Sequence, residues 1–212
     1  MRAGLVKRHI TDKNGKRTSV WVRPQEKVAE KRKNAAIRSS VKKAEAEILE
    51  ATKNEYEACA VVNDQGKVVF RQTGERSRIQ FTKEELERMK GMSVFTHNHP
   101  KSTSLSFPDL VVCVKNNIGQ MRAIAPNSYH GNVTFVFEKG KLTDKDMSWF
   151  TQAYMNAEAI IRHNFWDLID ADKLSEEDAN AAHHHNVMLK MFKGLYSREL
   201  EKAGAKYYFE TR

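Results

Sequence analysis

Cysteine is scarce: Cys59 and Cys113 are the only two in 212 residues, and neither belongs to a CxxC pair. That scarcity argues against a disulfide framework and against a cysteine-rich zinc site. Both lie in apolar surroundings (Ala58, Ala60 and Val61; Val112 and Val114), the setting of reduced core cysteines in a cytoplasmic protein. Long apolar runs are also missing. Nothing approaches the roughly 18 residues a membrane span needs, so no membrane partner is expected. The start, MRAGLVKRHI, is basic with no long apolar segment behind it, and no secretory signal is expected. No internal repeat and no low-complexity block interrupts the chain. With 40% hydrophobic and 30% charged residues, what remains is an ordinary globular composition, long enough for one domain with an added arm or helical extension.

The net charge of +9 is unevenly placed. Residues 1–43 hold fourteen Lys or Arg against three acids, +11, which leaves 22 against 24, or −2, for the rest. An arm so basic suits nucleic acid or an acidic protein face, or else is a solvated tail.

Periodicity divides the chain into a basic arm (1–36), a core (37–142) and a C-terminal helical extension (143–212). Residues 6–22 read as a β-hairpin about Asn14-Gly15, a pair that accepts the positive φ values of a tight turn, with Trp21 as its anchor. Gln25 to about Asn54 is helical, with residues 25–36 too polar to bury and Ile37, Val41, Ala44, Ile48 and Leu49 forming one apolar stripe. Strands follow at Tyr56–Val62 and Lys67–Phe70, then at Ser77–Phe81, and a capped helix runs from Thr82 to about Lys90. Met121–Ala125 and Asn132–Glu138 read as two more strands. From Thr143 the pattern is helical again, with a long amphipathic helix to Phe165, another from Ser175 to Ala203, and Tyr207–Phe209 as a closing strand. These last helices need a surface to lie on, either the sheet or an oligomer partner. Alternating strands and helices about one apolar layer predict an α/β fold with a mixed sheet sandwiched by helices.

Residues 91–110, GMSVFTHNHPKSTSLSFPDL, carry the chemistry. His97 and His99 alternate on an extended run, so both imidazoles leave the same side of a strand. Ser106 and Asp109 stand three apart at the start of a helix that faces the strand end. Two histidines and a carboxylate can hold a divalent metal with one position open for water. Ser106-x-x-Asp109 is equally an N-terminal capping box, which requires no catalysis. The run His183-His184-His185 cannot converge on one ion, because successive helical residues point about 100° apart. His130 and His163 lack ligand partners at suitable spacing.

His97-x-His99-Pro100 followed by Ser106-x-x-Asp109 resembles the signature of the JAMM, or MPN+, metalloprotease family. Six residues separate His99 from Ser106, where the commonest family spacing is seven. This short HNHP form with SxSxxD is more similar to the branch found in phage head-morphogenesis proteins and bacterial toxin modules. The resemblance implies a JAMM/MPN-like (cytidine-deaminase-like) fold, with Zn2+ bound by His97, His99 and Asp109. It also implies Glu57 as general base, Ser106 as oxyanion donor, and a protein or peptide substrate. Glu57 is chosen because it precedes Ala58-Cys59-Ala60-Val61 where the first helix passes into the first core strand; Glu55, on the same face of an extended chain, is the second choice. By the same resemblance the expected activity is hydrolysis of a peptide or isopeptide bond, in a cytoplasmic or virion-associated setting. The rival readings are a structural or assembly protein that keeps the fold, and a zinc enzyme acting on a non-peptide amide.

Overall fold

A computed structural model describes the backbone of residues 6–11, 17–22 and 25–212, with side chains from residue 28 onward except Glu177. Strands β1 (Val6–Thr11) and β2 (Arg17–Val22) pair antiparallel as a separate two-stranded sheet, with Val6 opposite Val22. The Asn14-Gly15 turn and the Trp21 side chain lie outside the described residues.

The main body is mixed α/β. Its strands are β3 (Ala58–Val62), β4 (Val68–Thr73), β5 (Val94–Asn98), β6 (Gln120–Ser128), β7 (Gly131–Glu138) and β8 (Lys206–Thr211). They form one sheet in the order β4-β3-β5-β6-β7-β8. Only β5 and β6 run parallel; the other neighbours are antiparallel. The helices are α1 (Gln25–Thr52), α2 (Lys83–Met89), α3 (Phe107–Lys115), α4 (Met147–Asp170), α5 (Glu176–Lys193) and α6 (Ser197–Ala203).

The two faces of the sheet are covered differently. Helix α1 lays Val41, Ala44 and Ile48 on Ala58, Ala60, Val62, Val94 and Ile124. Its apolar stripe begins at Ile37, as the spacing requires, and the turn before it is exposed. Full burial of each large aliphatic side chain contributes about 1.5–3 kcal/mol, so the second half of α1 holds the helix in place. The opposite face carries the larger core: Cys59, Val61, Phe95, Phe135 and Phe137 from the strands meet Leu110 and Cys113 of α3, Phe150 and Tyr154 of α4, and Val187 and Met188 of α5. Strand β8 closes the sheet against β7, with Tyr207 opposite Phe137. Residues 143–212 therefore share the core of the strands that precede them.

Two expected elements differ. No strand forms at Ser77–Phe81, because the Glu75 N–H donates to the Arg78 carbonyl (2.9 Å) and turns the chain back on itself. Ile79 and Phe81 still pack on the core from this irregular segment. The helix expected over Ser175–Ala203 is broken at Gly194, whose ψ of −156° leaves the helical region. A Cβ there would stand 2.7 Å from the Lys190 carbonyl oxygen, so the break is built on glycine.

Candidate metal centre

Strand alternation sends Phe95 and His97 to the larger core and Thr96 and Asn98 towards α1. His99 follows directly after β5, and its N–H donates to the Ile124 carbonyl (2.9 Å), which keeps it aligned with β6. Both imidazoles are therefore on the α3 side, 2% and 7% exposed. Helix α3 starts at the same level. Its N-cap Ser106 gives both its N–H and its hydroxyl to Asp109 Oδ2, each at 2.7 Å. The capping box fixes the acid that faces the histidines, so capping and site-building are one arrangement.

The three side chains converge. His97 Nε2 and His99 Nε2 are 2.8 Å apart, His97 Nε2 is 3.4 Å from Asp109 Oδ1, and His99 Nε2 is 3.6 Å from Asp109 Oδ2. All three ligand atoms lie within 4.8 Å of one another. Tetrahedral zinc with bonds of about 2.0–2.1 Å places neighbouring donors about 3.3 Å apart, which these separations bracket. The donor chemistry fits as well. His99 Nδ1 faces the Thr103 carbonyl at 3.1 Å, which assigns its proton to Nδ1 and leaves the Nε2 lone pair directed at His97 and Asp109. His97 Nδ1 is buried with no hydrogen bond of normal geometry, and the Arg122 carbonyl is the acceptor beside it. Two buried lone pairs at this distance repel unless a positive charge lies between them.

Burial opposes protonation of His97, but the carboxylate of Asp109 outweighs it and raises the pKa. Burial and the neighbouring His97 push His99 down to about 4. Burial would raise Asp109, yet the two imidazoles and the Ser106 hydroxyl hold it well below the usual carboxylate range.

Glu57 lies beside this cluster. Its backbone extends β3 by one residue and pairs with the end of β4: its N–H donates to the Glu75 carbonyl and its carbonyl accepts from the Gly74 N–H, both at 2.8 Å. Cys59 pairs with His97, so Glu57, two residues earlier, shares the face of Cys59. The carboxyl is half-buried and raised to about 7, chiefly by burial, with His97 lowering it and Asp109 raising it. Glu55, by contrast, is exposed.

Several neighbours were not apparent in the sequence. His183, His184 and His185 do point apart, but two of them approach the site from α5. His184 Nδ1 is 3.5 Å from the Tyr154 hydroxyl, and the Tyr154 ring packs at a tilt against Phe107 (centroids 4.6 Å apart), two residues before Asp109. His185 Nδ1 is 2.7 Å from the Tyr207 hydroxyl, which is 2.6 Å from Ser104 Oγ in the loop between His99 and Ser106. His183 faces Glu158 instead, and His163 faces Asp167. No spacing rule in the sequence links residues 185 and 207 to residue 104; only the α5 and β8 placements do.

No family model matches the chain, and neither the curated proteins nor the solved structures contain a match to it.

Proposed function

We propose that this chain is a zinc-dependent hydrolase of the JAMM type that cleaves an amide, a peptide or isopeptide bond. The observation that carries the reading is the convergence of His97 Nε2, His99 Nε2 and the Asp109 carboxylate, with half-buried Glu57 on the same face of the sheet. Two imidazoles and one carboxylate are a zinc donor set that leaves a fourth position open. When bound there, zinc supplies a Lewis acid that lowers the pKa of water towards about 7.

The chain's own residues do the rest. His97, His99 and Asp109 hold the metal, and Thr103 fixes the His99 ring through Nδ1. Glu57 takes the proton of the attacking water on its carboxylate and gives it to the leaving nitrogen, so the amine departs neutral. A carboxyl raised by burial is suited to both halves of that transfer. Ser106 is half-buried and its hydroxyl is now committed to Asp109. Turned outward, it donates to the oxygen of the scissile carbonyl, a contact worth on the order of 3 kcal/mol to the transition state.

The experiment is a comparison of zinc-loaded wild type, Glu57→Gln and Glu55→Gln on a panel of peptide and isopeptide substrates. Glu57→Gln should keep its metal and lose activity, and Glu55→Gln should keep both. Activity that survives Glu57→Gln but not Glu55→Gln moves the base to Glu55; a metal-loaded wild type inactive on the whole panel removes the peptidase reading.

A further inference from the structure

Strand β5 and the extension of β3 part where the site lies. Their backbone pairing ends at Cys59 opposite His97. Beyond that point His99 stays with β6, its N–H on the Ile124 carbonyl. A regular antiparallel ladder would satisfy the Ala58 N–H from the Asn98 carbonyl, but it would set the Tyr56 carbonyl opposite Pro100, which has no N–H, so that carbonyl needs another donor. Here one side chain serves both. Asn98 Oδ1 accepts from the Ala58 N–H at 2.8 Å, and Asn98 Nδ2 donates to the Tyr56 carbonyl at 2.9 Å and to Asn54 Oδ1 at 3.1 Å. Asn98 is fully buried. Its amide thus grips the chain on both sides of Glu57, from the face opposite the histidines that flank it in sequence.

We infer that Asn98 is a positioning residue: its amide replaces the missing rung between β3 and β5 and sets where the Glu57 carboxylate stands relative to the metal held by His97, His99 and Asp109. The inference rests on the proposed metal site. On its other edge Glu57 is held by β4, through Gly74 and Glu75, and towards β5 the segment has one further tie, from Asn54 Nδ2 to the Pro100 carbonyl at 3.2 Å. An amide presents its acceptor and its donors on separate atoms, so it can serve an N–H and a carbonyl two residues apart at once, where a hydroxyl has a single oxygen for both. Alanine would leave the Ala58 N–H unpaired and free the segment from Asn54 to Glu57 to draw away from β5. The ligands would remain, since their ring atoms are fixed by Thr103 and α3.

The test needs no substrate. Full-length protein carrying carboxyl-labelled glutamate is loaded with Co2+ and observed by carbon NMR for the carboxyls and by proton NMR for the imidazole N–H. In wild type one glutamate carboxyl signal, identified by its loss in Glu57→Gln, should be paramagnetically shifted, as should the Nδ1–H of His99. In Asn98→Ala the Glu57 shift should fall severalfold, because a pseudocontact shift decays with the cube of distance, while bound cobalt and the His99 signal persist. Asn98→Ser, which keeps a hydroxyl able to accept from Ala58, should give an intermediate shift and serves if the alanine variant does not fold. An unchanged Glu57 shift in Asn98→Ala overturns the positioning role alone, and so does joint loss of the Glu57 and His99 signals, which marks a general structural role. A wild type that takes up no cobalt overturns the metal site and this inference together.

Discussion

The hydroxyl of Tyr207 stands 2.6 Å from that of Ser104, 103 positions earlier in the chain. It joins the closing strand to the loop that spans His99 and Ser106, and on its other side it meets His185 Nδ1 at 2.7 Å. The C-terminal strand and α5 therefore hold the site loop from behind.

Tyr207→Phe removes one oxygen and leaves two buried partners, Ser104 and His185, without it. Because unsatisfied buried groups cost more than a hydrogen bond returns, the variant should lose about 1–3 kcal/mol of stability. Urea unfolding followed by circular dichroism measures this. No loss would mean that water replaces the hydroxyl.

His185 also sets a pH dependence. Burial first, and then the facing His130, push its pKa down to about 4, with the Tyr207 hydroxyl as its polar neighbour. The folded state favours the neutral ring, so its contribution is complete above the unfolded value of about 6.5 and is lost as pH falls from there towards 4. Wild type should lose more thermal stability between pH 7.5 and 5 than His185→Gln does; equal losses would contradict the burial of a neutral ring.

On the other face of the sheet, Arg122 Nε donates to Glu45 at 2.7 Å, with both side chains nearly fully buried, and its second arm reaches Glu210 at 2.7 Å. Arg122→Met leaves the Glu45 carboxylate buried, with Arg212 3.8 Å away as its remaining cation, and should cost about 3–5 kcal/mol. Adding Glu45→Met should recover much of that loss, because the stranded charge goes with it. Additive losses in the double-mutant cycle would show that the pair is uncoupled.

Residues 1–24 hold seven basic residues and one acid, and none of them supplies a site residue. Removing them should leave metal content unchanged and weaken any binding to nucleic acid or to an acidic protein, with a shallower dependence on salt. Loss of metal on truncation would place the arm within the core.

The sequence made the centre of this molecule legible because its signals are local. His97-x-His99 needs only the period of a strand, and Ser106-x-x-Asp109 needs only the first turn of a helix; both elements formed where the patterns put them. The stripe on α1 likewise marked where burial begins. What escaped was decided by distant contacts. Ser77–Phe81 alternates like a strand, yet has no partner edge once Glu75 and Arg78 close their turn. Gly194 within a helical pattern is tolerable on propensity alone, and only its close approach to the Lys190 carbonyl shows that the break is built on it. Nothing local marks Asn98, because its partners at Ala58, Tyr56 and Asn54 lie 40, 42 and 44 positions earlier.

The most direct test is metal content. Full-length protein incubated with zinc and freed of excess should contain about one zinc per chain by elemental analysis, as a site with one set of His97, His99 and Asp109 ligands requires. His97→Ala, His99→Ala and Asp109→Ala should each lose it while keeping their fold, since a three-ligand site does not survive the loss of one ligand. Zinc-free wild type, or stoichiometric zinc retained by all three variants, would contradict the account.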